Sequence, residues 1–149
     1  MRYSQGRLTT NTTSNNCIME IINSHSTKSA FIKKLVITQN VAAAGVIEIG
    51  RPAAKGITPT SPVAMESDDD AAAGSVTTAL AWGTAPTRPT TFLRRANFLA
   101  TIGDARTFEF AGKGLRLAPG QTLSVHSFSG TSNTYNVSVE AEQDDVVVA

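Results

Sequence analysis

The chain consists of short runs in which apolar and polar residues alternate, a pattern that argues against a helical fold. The clearest run is YNVSVEAE, where Tyr135, Val137, Val139 and Ala141 share one face of an extended chain. Comparable runs recur along the sequence and are separated by Gly, Pro, Asn and Ser. Roughly eight or nine strands are expected from this spacing. The sequence therefore predicts an all-β protein, an antiparallel β-sandwich of jelly-roll-like form.

The composition agrees with a β protein built from small side chains. Of 149 residues, 41% are hydrophobic but only 6% are aromatic, and Thr, Ser, Val and Ala are abundant. A compact fold of this length buries roughly 70% of its unfolded surface, which is enough for one core. Because Cys17 is the only cysteine, no disulfide can form within the chain. We expect stability from packing or from association with other chains.

The charge balance argues against nucleic acid as a partner. Thirteen basic and twelve acidic residues leave a formal charge of +1, which is too small to neutralise many phosphates. No run approaches the ~20 apolar residues that span a bilayer, and the start MRYSQGRLTTNTT lacks the apolar core of a signal peptide. We therefore expect a soluble protein, made in a cytoplasm, with no membrane partner.

Two stretches lack the alternation and are predicted to lie outside the sheets. Residues 1–16 are polar and are predicted to form an extended N-terminal arm, followed by a single β-sandwich domain over 17–149. Residues 51–75 hold three prolines and little periodicity, and they are predicted to form a long loop. Loops of this length are uncommon in compact domains unless they bind something or are disordered.

A third unusual stretch, TAPTRPTT at residues 84–91, cannot form a helix or a central strand. Pro86 and Pro89 fix their own φ angles, remove two amide donors and force the preceding residues into extended geometry. One interpretation is a solvated crossover between two sheets. The other is a segment that lies on neighbouring subunits, because its carbonyls and remaining amides need a surface to bond. Three extended segments in one small chain favour assembly.

Residue spacing indicates no catalytic, cofactor or metal site, so the chain is predicted not to be an enzyme. His25 and His126 belong to no metal-binding spacing. His126 falls on the opposite face from Leu123 and Val125, which predicts a histidine at the surface or in an interface. The run Asp68–Asp70 could offer oxygen ligands to a cation, but it lacks the spacing of a calcium loop and is predicted to be solvated.

Residues 78–142 contain the segments TALAWGTAPTRPTTFLRRANFLATIG, GLRLAPGQTLSV and NVSVEAE. These resemble a group of small tailed-phage virion proteins with an AWGTAPT…P..FLRR…ATIG segment and a late G-L-x-L-x-P-G-x-x-L hairpin. The resemblance implies a capsid decoration, or cement, protein on the outer surface of the phage head, assembled in the host cytoplasm. We expect the major capsid protein and further copies of the chain, as a homotrimer, to be the partners.

The residues predicted to contact a partner are Arg2, Tyr3, Thr84, Pro86, Arg88, Pro89, Arg94 and Arg95. Because Arg94 and Arg95 are adjacent in a strand, they are expected to face opposite sides rather than form one anion pocket. The alternative function is a tail or fibre-tip module that binds a receptor or glycan. Such a module needs exposed rings, whereas Trp82 and Tyr135 fall on apolar faces and are predicted to pack in the core.

Overall fold

The computed structural model describes residues 2–10, 12–13, 15–68, 73–129 and 133–143. Within these ranges the chain forms only strands, paired antiparallel throughout, which confirms the predicted all-β class. None of the described segments is a helix long and apolar enough to cross a membrane. The strands are β1 Arg2–Leu8, β2 Asn16–Asn23, β3 Ala30–Gln39, β4 Gly45–Gly50, β5 Ile57–Pro59, β6 Val63–Ser67, β7 Ala73–Ala79, β8 Trp82–Thr84, β9 Arg94–Phe98, β10 Ala105–Glu109, β11 Leu115–Leu117, β12 Thr122–Ser129 and β13 Tyr135–Gln143.

Two layers of four strands form the body of the molecule. One layer has the order β1-β13-β3-β10 and the other has the order β2-β12-β4-β9. Early strands pair with late ones in both layers, which is the nested arrangement of a jelly roll. The hairpin β6–β7 lies between β1 and β2 and connects the two layers, while β11 extends the β10 edge along β3. The predicted jelly-roll-like sandwich is confirmed.

The core lies between the layers and consists mainly of aliphatic side chains from alternate strand positions. The edge of the Phe98 ring meets Tyr135, with 5.2 Å between ring centroids and 62° between the ring planes. Each fully buried aliphatic side chain contributes roughly 1.5–3 kcal/mol to the stability of the fold. The largest side chains with no appreciable exposure are Tyr135, Ile18, Met19, Ile21, Ile32, Leu35, Ile37, Ile47, Ile49, Met65, Leu117 and Leu123.

The structure corrects the expectation that residues 1–16 and 51–75 lie outside the sheets. β1 pairs with β13 along its whole length and also with β6, so it is an internal strand rather than a free arm. The range 51–75 contains β5, β6 and the start of β7. These strands lack clear alternation because neighbouring strands, rather than a one-sided apolar face, fix their position. Tyr3, for example, packs its ring on Gly74, where an added Cβ would lie 2.7 Å from the ring.

Pro119 and Gly120 form a turn, but the strands on either side of it do not pair as the hairpin that the resemblance of GLRLAPGQTLSV implies. Gly120 has a φ of +79°, and Gln121 N donates to Ala118 O at 2.9 Å. β11 then pairs with β3, whereas β12 pairs with β2 and β4 in the other layer. The turn therefore carries the chain across the sandwich. Local turn chemistry specified the reversal of direction but not the pairing partner.

Residues 84–93, which we call the strap, run from β8 to β9 and contact the outer face of the β2-β12-β4 layer. Their backbone bonds to the chain itself. Thr87 N donates to Ala54 O at 2.9 Å, Ala53 N donates to Thr87 O at 3.2 Å, and Leu93 N donates to Ile49 O at 2.7 Å. The segment is extended and lies outside the central strands, as its prolines predict. Contrary to expectation, some of its backbone groups find partners within the subunit.

Candidate functional site

Two glutamates are buried on the outer face of the second layer, Glu48 beneath the strap and Glu20 beneath the segments that flank it. Glu20 is 1% exposed and Glu48 is 0% exposed. Both occupy alternate positions of strands whose neighbouring side chains, such as Ile21 and Ile49, enter the core. Because an ionised carboxylate is costly to bury without partners, the contacts of these two groups determine what this region can do.

Glu48 holds the middle of the strap through Arg88. Arg88 Nε donates to Glu48 Oε1 at 2.9 Å, and Arg88 Nη2 donates to Glu48 Oε2 at 3.2 Å. Arg95 Nε of β9 lies 3.7 Å from the same Oε2. A two-pronged guanidinium–carboxylate contact fixes both orientation and distance. One buried carboxylate thus links the strap, β4 and β9.

Glu20 holds the segments that flank the strap. Its Oε1 accepts a hydrogen bond from Trp82 Nε1 at 3.0 Å, and its Oε2 accepts one from Gly56 N at 3.0 Å. A side chain at Gly56 would collide with the Trp82 ring and the Glu20 carboxylate. Trp82 is therefore half-buried with its indole N–H engaged. Its ring is not the free platform on which the glycan-binding alternative depends.

His126 is also covered by the strap and is only 1% exposed, which corrects the prediction of a surface histidine. Its Nε2 lies 3.4 Å from Pro86 O, the geometry of a donor to a carbonyl. Its Nδ1 is buried and has no hydrogen-bond partner within the described ranges. Burial lowers the pKa of His126, although the Pro86 carbonyl and Glu48 oppose this shift. Burial therefore favours the neutral imidazole over the charged one.

The outward side of the strap presents arginine and aromatic side chains in fixed positions. The Arg88 guanidinium lies 4.3 Å from the ring centroid of Phe128, and that of Arg95 lies 4.5 Å from Phe128 and 5.5 Å from Phe92. Phe92 is 45% exposed and Leu93 is 38% exposed. We call the surface formed by Arg88, Phe92, Leu93 and Arg95 the strap face. Arginine and aromatic residues are the types enriched in protein–protein interfaces.

Four of the predicted contact residues, Thr84, Arg88, Arg94 and Arg95, are exposed at or beside the strap. The Arg94 guanidinium lies 5.0 Å from the Phe110 ring, on the side of β9 away from the Arg95 partners, so the prediction of opposite faces is confirmed.

The two prolines of the strap face inward instead. Pro86 and Pro89 are buried, and a Cβ at Gly50 would lie 2.9 Å from Pro89 Cγ. They pack against their own sheet because the ring of an extended proline offers apolar surface on one side. Arg2 is exposed and Tyr3 is half-buried on β1, in the other layer, so the structure does not bring these two residues to the strap.

Sequence reasoning missed Glu20, Glu48 and Phe128, although one signal was present. Each glutamate is the single charged residue in an otherwise apolar strand run, CIMEII or VIEIG. Such a position implies either a solvent face or a buried partner, and the strap supplies the partner. The exposed Phe92 carried no comparable signal.

Elsewhere, no group of three or more His, Cys, Asp or Glu in the described ranges could hold a metal ion. Of the acidic run, Asp68 accepts a hydrogen bond from Ser4 Oγ at 2.6 Å, while Asp69 and Asp70 lie outside the described residues. The chain matches no protein-family model, and no curated protein matches it. The fold and the contacts of the strap are therefore the basis for assigning a function.

Proposed function

We propose that the chain is a non-enzymatic structural subunit of a virion, a capsid decoration protein that binds the outer surface of the phage head through the strap face. The observation that carries this proposal is the fixed geometry of Arg88 and Arg95. Both guanidinium groups are held by the buried Glu48 and stack on exposed or half-exposed rings. The side chains of the strap face are therefore preorganised for contact with a protein in the unbound subunit.

Restraint of these side chains matters because association has an entropic cost. Immobilising a flexible side chain on binding costs about 0.5–1.5 kcal/mol, and a side chain that is already held avoids part of this cost. Both buried carboxylates are engaged by groups of the chain itself, which suits a structural role. When many copies bind one shell, modest affinity per contact is sufficient for a stable assembly.

The resemblance to tailed-phage virion proteins supports the phage head as the assembly to which this chain binds. The AWGTAPT and FLRR segments that carry it form β8, the strap and the start of β9. The partner we propose is the major capsid protein, bound by a homotrimer of this chain at the capsid surface. The strap face combines two arginines with apolar surface, and we propose that it meets carboxylates and apolar side chains on that partner.

Binding to phage heads tests this proposal directly. Purified protein is mixed with heads from which the protein has been removed, and the bound fraction is measured by co-sedimentation. We expect saturable binding at a copy number set by capsid geometry. Phe92→Ser is expected to weaken binding by about tenfold or more, the effect of losing an interface anchor. Val63→Ser is the matched control, because Val63 is 43% exposed on β6, away from the strap.

Two results would contradict the proposal. One is the absence of binding to stripped heads at any protein concentration. The other is equal loss of binding in the Phe92 and Val63 variants, which would place the contact elsewhere. A measured content of only a few copies per virion would assign the protein to the tail instead of the head.

A further inference from the structure

One end of the jelly roll carries no charged residue in the described parts of its loops. The described residues of the loops at this end, 9–10, 12–13, 15, 40–44, 99–103 and 133–134, include no Asp, Glu, Lys, Arg or His, although the chain has thirteen basic and twelve acidic residues. We call this surface the neutral end. Hydrogen bonds between described loop residues show that the loops meet there, because Thr12 N donates to Asn133 O at 2.8 Å and Asn133 Nδ2 donates to Ala43 O at 3.0 Å.

The neutral end also exposes the largest fractions of aliphatic side chain in the described ranges. Leu99 is 67% exposed and Ile102 is 66% exposed, both in the loop between β9 and β10. Leu8, at the end of β1, is 52% exposed. Single exposed apolar residues are ordinary on protein surfaces. Here, however, they occur on an end that has no charges among them.

The loop that carries Leu99 and Ile102 is held in place rather than loose. The Asp104 carboxylate accepts a hydrogen bond from Leu99 N at 2.9 Å, and Gly103 N donates to Gln39 O at 2.9 Å. Asp104 is itself paired with Arg106, so the charge that follows this loop is neutralised. These hydrogen bonds hold the loop in a conformation in which the Leu99 and Ile102 side chains are exposed to water. This exposure lowers the stability of an isolated subunit.

The opposite end of the sandwich has the reverse character. Its loops are joined by hydrogen bonds such as Arg51 Nη2 to Arg116 O at 2.8 Å. The segments at this end, residues 24–29, 51–56 and 111–121, of which the last includes β11, contain five cations: Lys28, Arg51, Lys55, Lys113 and Arg116. The lack of charge is thus a property of one end and not of the loops in general.

We propose that the neutral end is the surface through which copies of this chain associate with one another. In a closed symmetric oligomer, residues near the axis meet the same residues of other copies, so a charged residue there faces a like charge. A surface without charges avoids that repulsion, and the same surface on another copy is electrostatically matched to it. The cores of homo-oligomer interfaces are apolar and depleted in charge.

The mass of the isolated protein in solution tests this proposal without phage heads. Sedimentation and light scattering over a range of concentrations are expected to give a multiple of the 15.7 kDa chain mass. Ile102→Lys is expected to raise the dissociation constant by at least about tenfold through repulsion between copies. Ile57→Lys is the matched control, because Ile57 is 61% exposed on β5 and lies outside the neutral end.

Two further measurements separate repulsion from misfolding. Thr10→Arg places a charge in a different loop of the same end, at an exposed position, and is expected to weaken association as Ile102→Lys does. Mixing the Ile102→Lys chain with an Ile102→Glu chain is expected to restore an assembly heavier than one chain, since opposite charges then meet. An unfolded variant would not be rescued by its partner.

The proposal is overturned if the unmodified protein has the mass of one chain at every concentration. It is also overturned if Ile102→Lys leaves the assembly intact or if Ile57→Lys disrupts it equally. These outcomes do not depend on head binding. A protein that associates but ignores stripped heads would refute head binding alone, whereas a monomer that binds heads would refute this inference and the proposed homotrimer but not head binding.

Discussion

Replacing Arg88 by methionine would test how strongly the strap is held by the carboxylate beneath it. Methionine keeps much of the apolar length of the side chain but removes both donors to Glu48, which stand at 2.9 and 3.2 Å. Glu48 would remain buried, with only Arg95 at 3.7 Å as a charged partner. Removing one partner of a buried ion pair costs about 3–5 kcal/mol, because the charge left behind has lost its compensation.

Replacing the other member of the pair, Glu48, is expected to lower the free energy of unfolding much less. In Glu48→Gln the amide oxygen can still accept a hydrogen bond, and the two arginine side chains, which are 40% and 37% exposed, can return to water. We expect a loss of about 1 kcal/mol, the ordinary value of one hydrogen bond. In the double variant no charge is left stranded, so it is expected to be more stable than Arg88→Met alone.

Urea unfolding followed by the fluorescence of Trp82, the only tryptophan, measures these differences. Trp82 lies beside the strap, so local lifting of the strap before global unfolding would appear as an early transition. If the strap lifts, water reaches Glu48 and the cost of Arg88→Met is limited to the free energy of lifting. Equal losses for the two single variants, or strictly additive losses in the double variant, would refute the reasoning.

Three other outcomes are expected. Because burial lowers the pKa of His126, the unfolded chain takes up a proton first as the pH falls below about 6.5, so the free energy of unfolding should fall from pH 7 to pH 5; His126→Gln should flatten this dependence in thermal unfolding. Gly114→Ala should lower the free energy of unfolding by more than about 2 kcal/mol, and Gly112→Ala by only about 1 kcal/mol. Both glycines have positive φ, but only at Gly114 would a Cβ lie 2.5 Å from Ile32 O. Urea unfolding midpoints of the two variants measure this difference. Burial raises the pKa of the Cys17 thiol well above its usual range, so a thiol reagent should modify it only at the rate at which the protein unfolds, and rapid labelling under native conditions would contradict this.

The sequence was sufficient to predict a strand where the alternation of apolar and polar residues determined which side chains are buried. Tyr135, Val137 and Val139 alternate with polar residues, and the structure buries all three in the predicted strand. The run FIKKLVITQ, residues 31–39, likewise lies within β3, where Leu35 and Ile37 are buried. In such strands the apolar side chains are stable only when they face the core. The alternation alone therefore identifies both the strand and the face of it that is buried.

The sequence was insufficient where pairing depended on residues far apart along the chain. Glu48 and Arg88 are 40 positions apart, and neither sequence neighbourhood indicates that one covers the other. β1 was missed for the same reason, since RYSQGRL has no apolar face and its position is set by β13 and β6. The candidate site was therefore found only in part. Its arginines were predicted, but the buried acids that orient them were not.

The pairing of the first strand with the last also affects how the chain is made. Tyr3 lies opposite Ala141 in the sheet, so this pairing cannot form until residue 141 has left the ribosome. Contacts between such distant segments form slowly, and the edges of β1 and β3 that later pair with β13 can meanwhile bind other chains. We therefore expect that, when many copies are synthesised at once, more of the protein folds at low temperature or with abundant chaperones, because these conditions limit aggregation of the nascent chain.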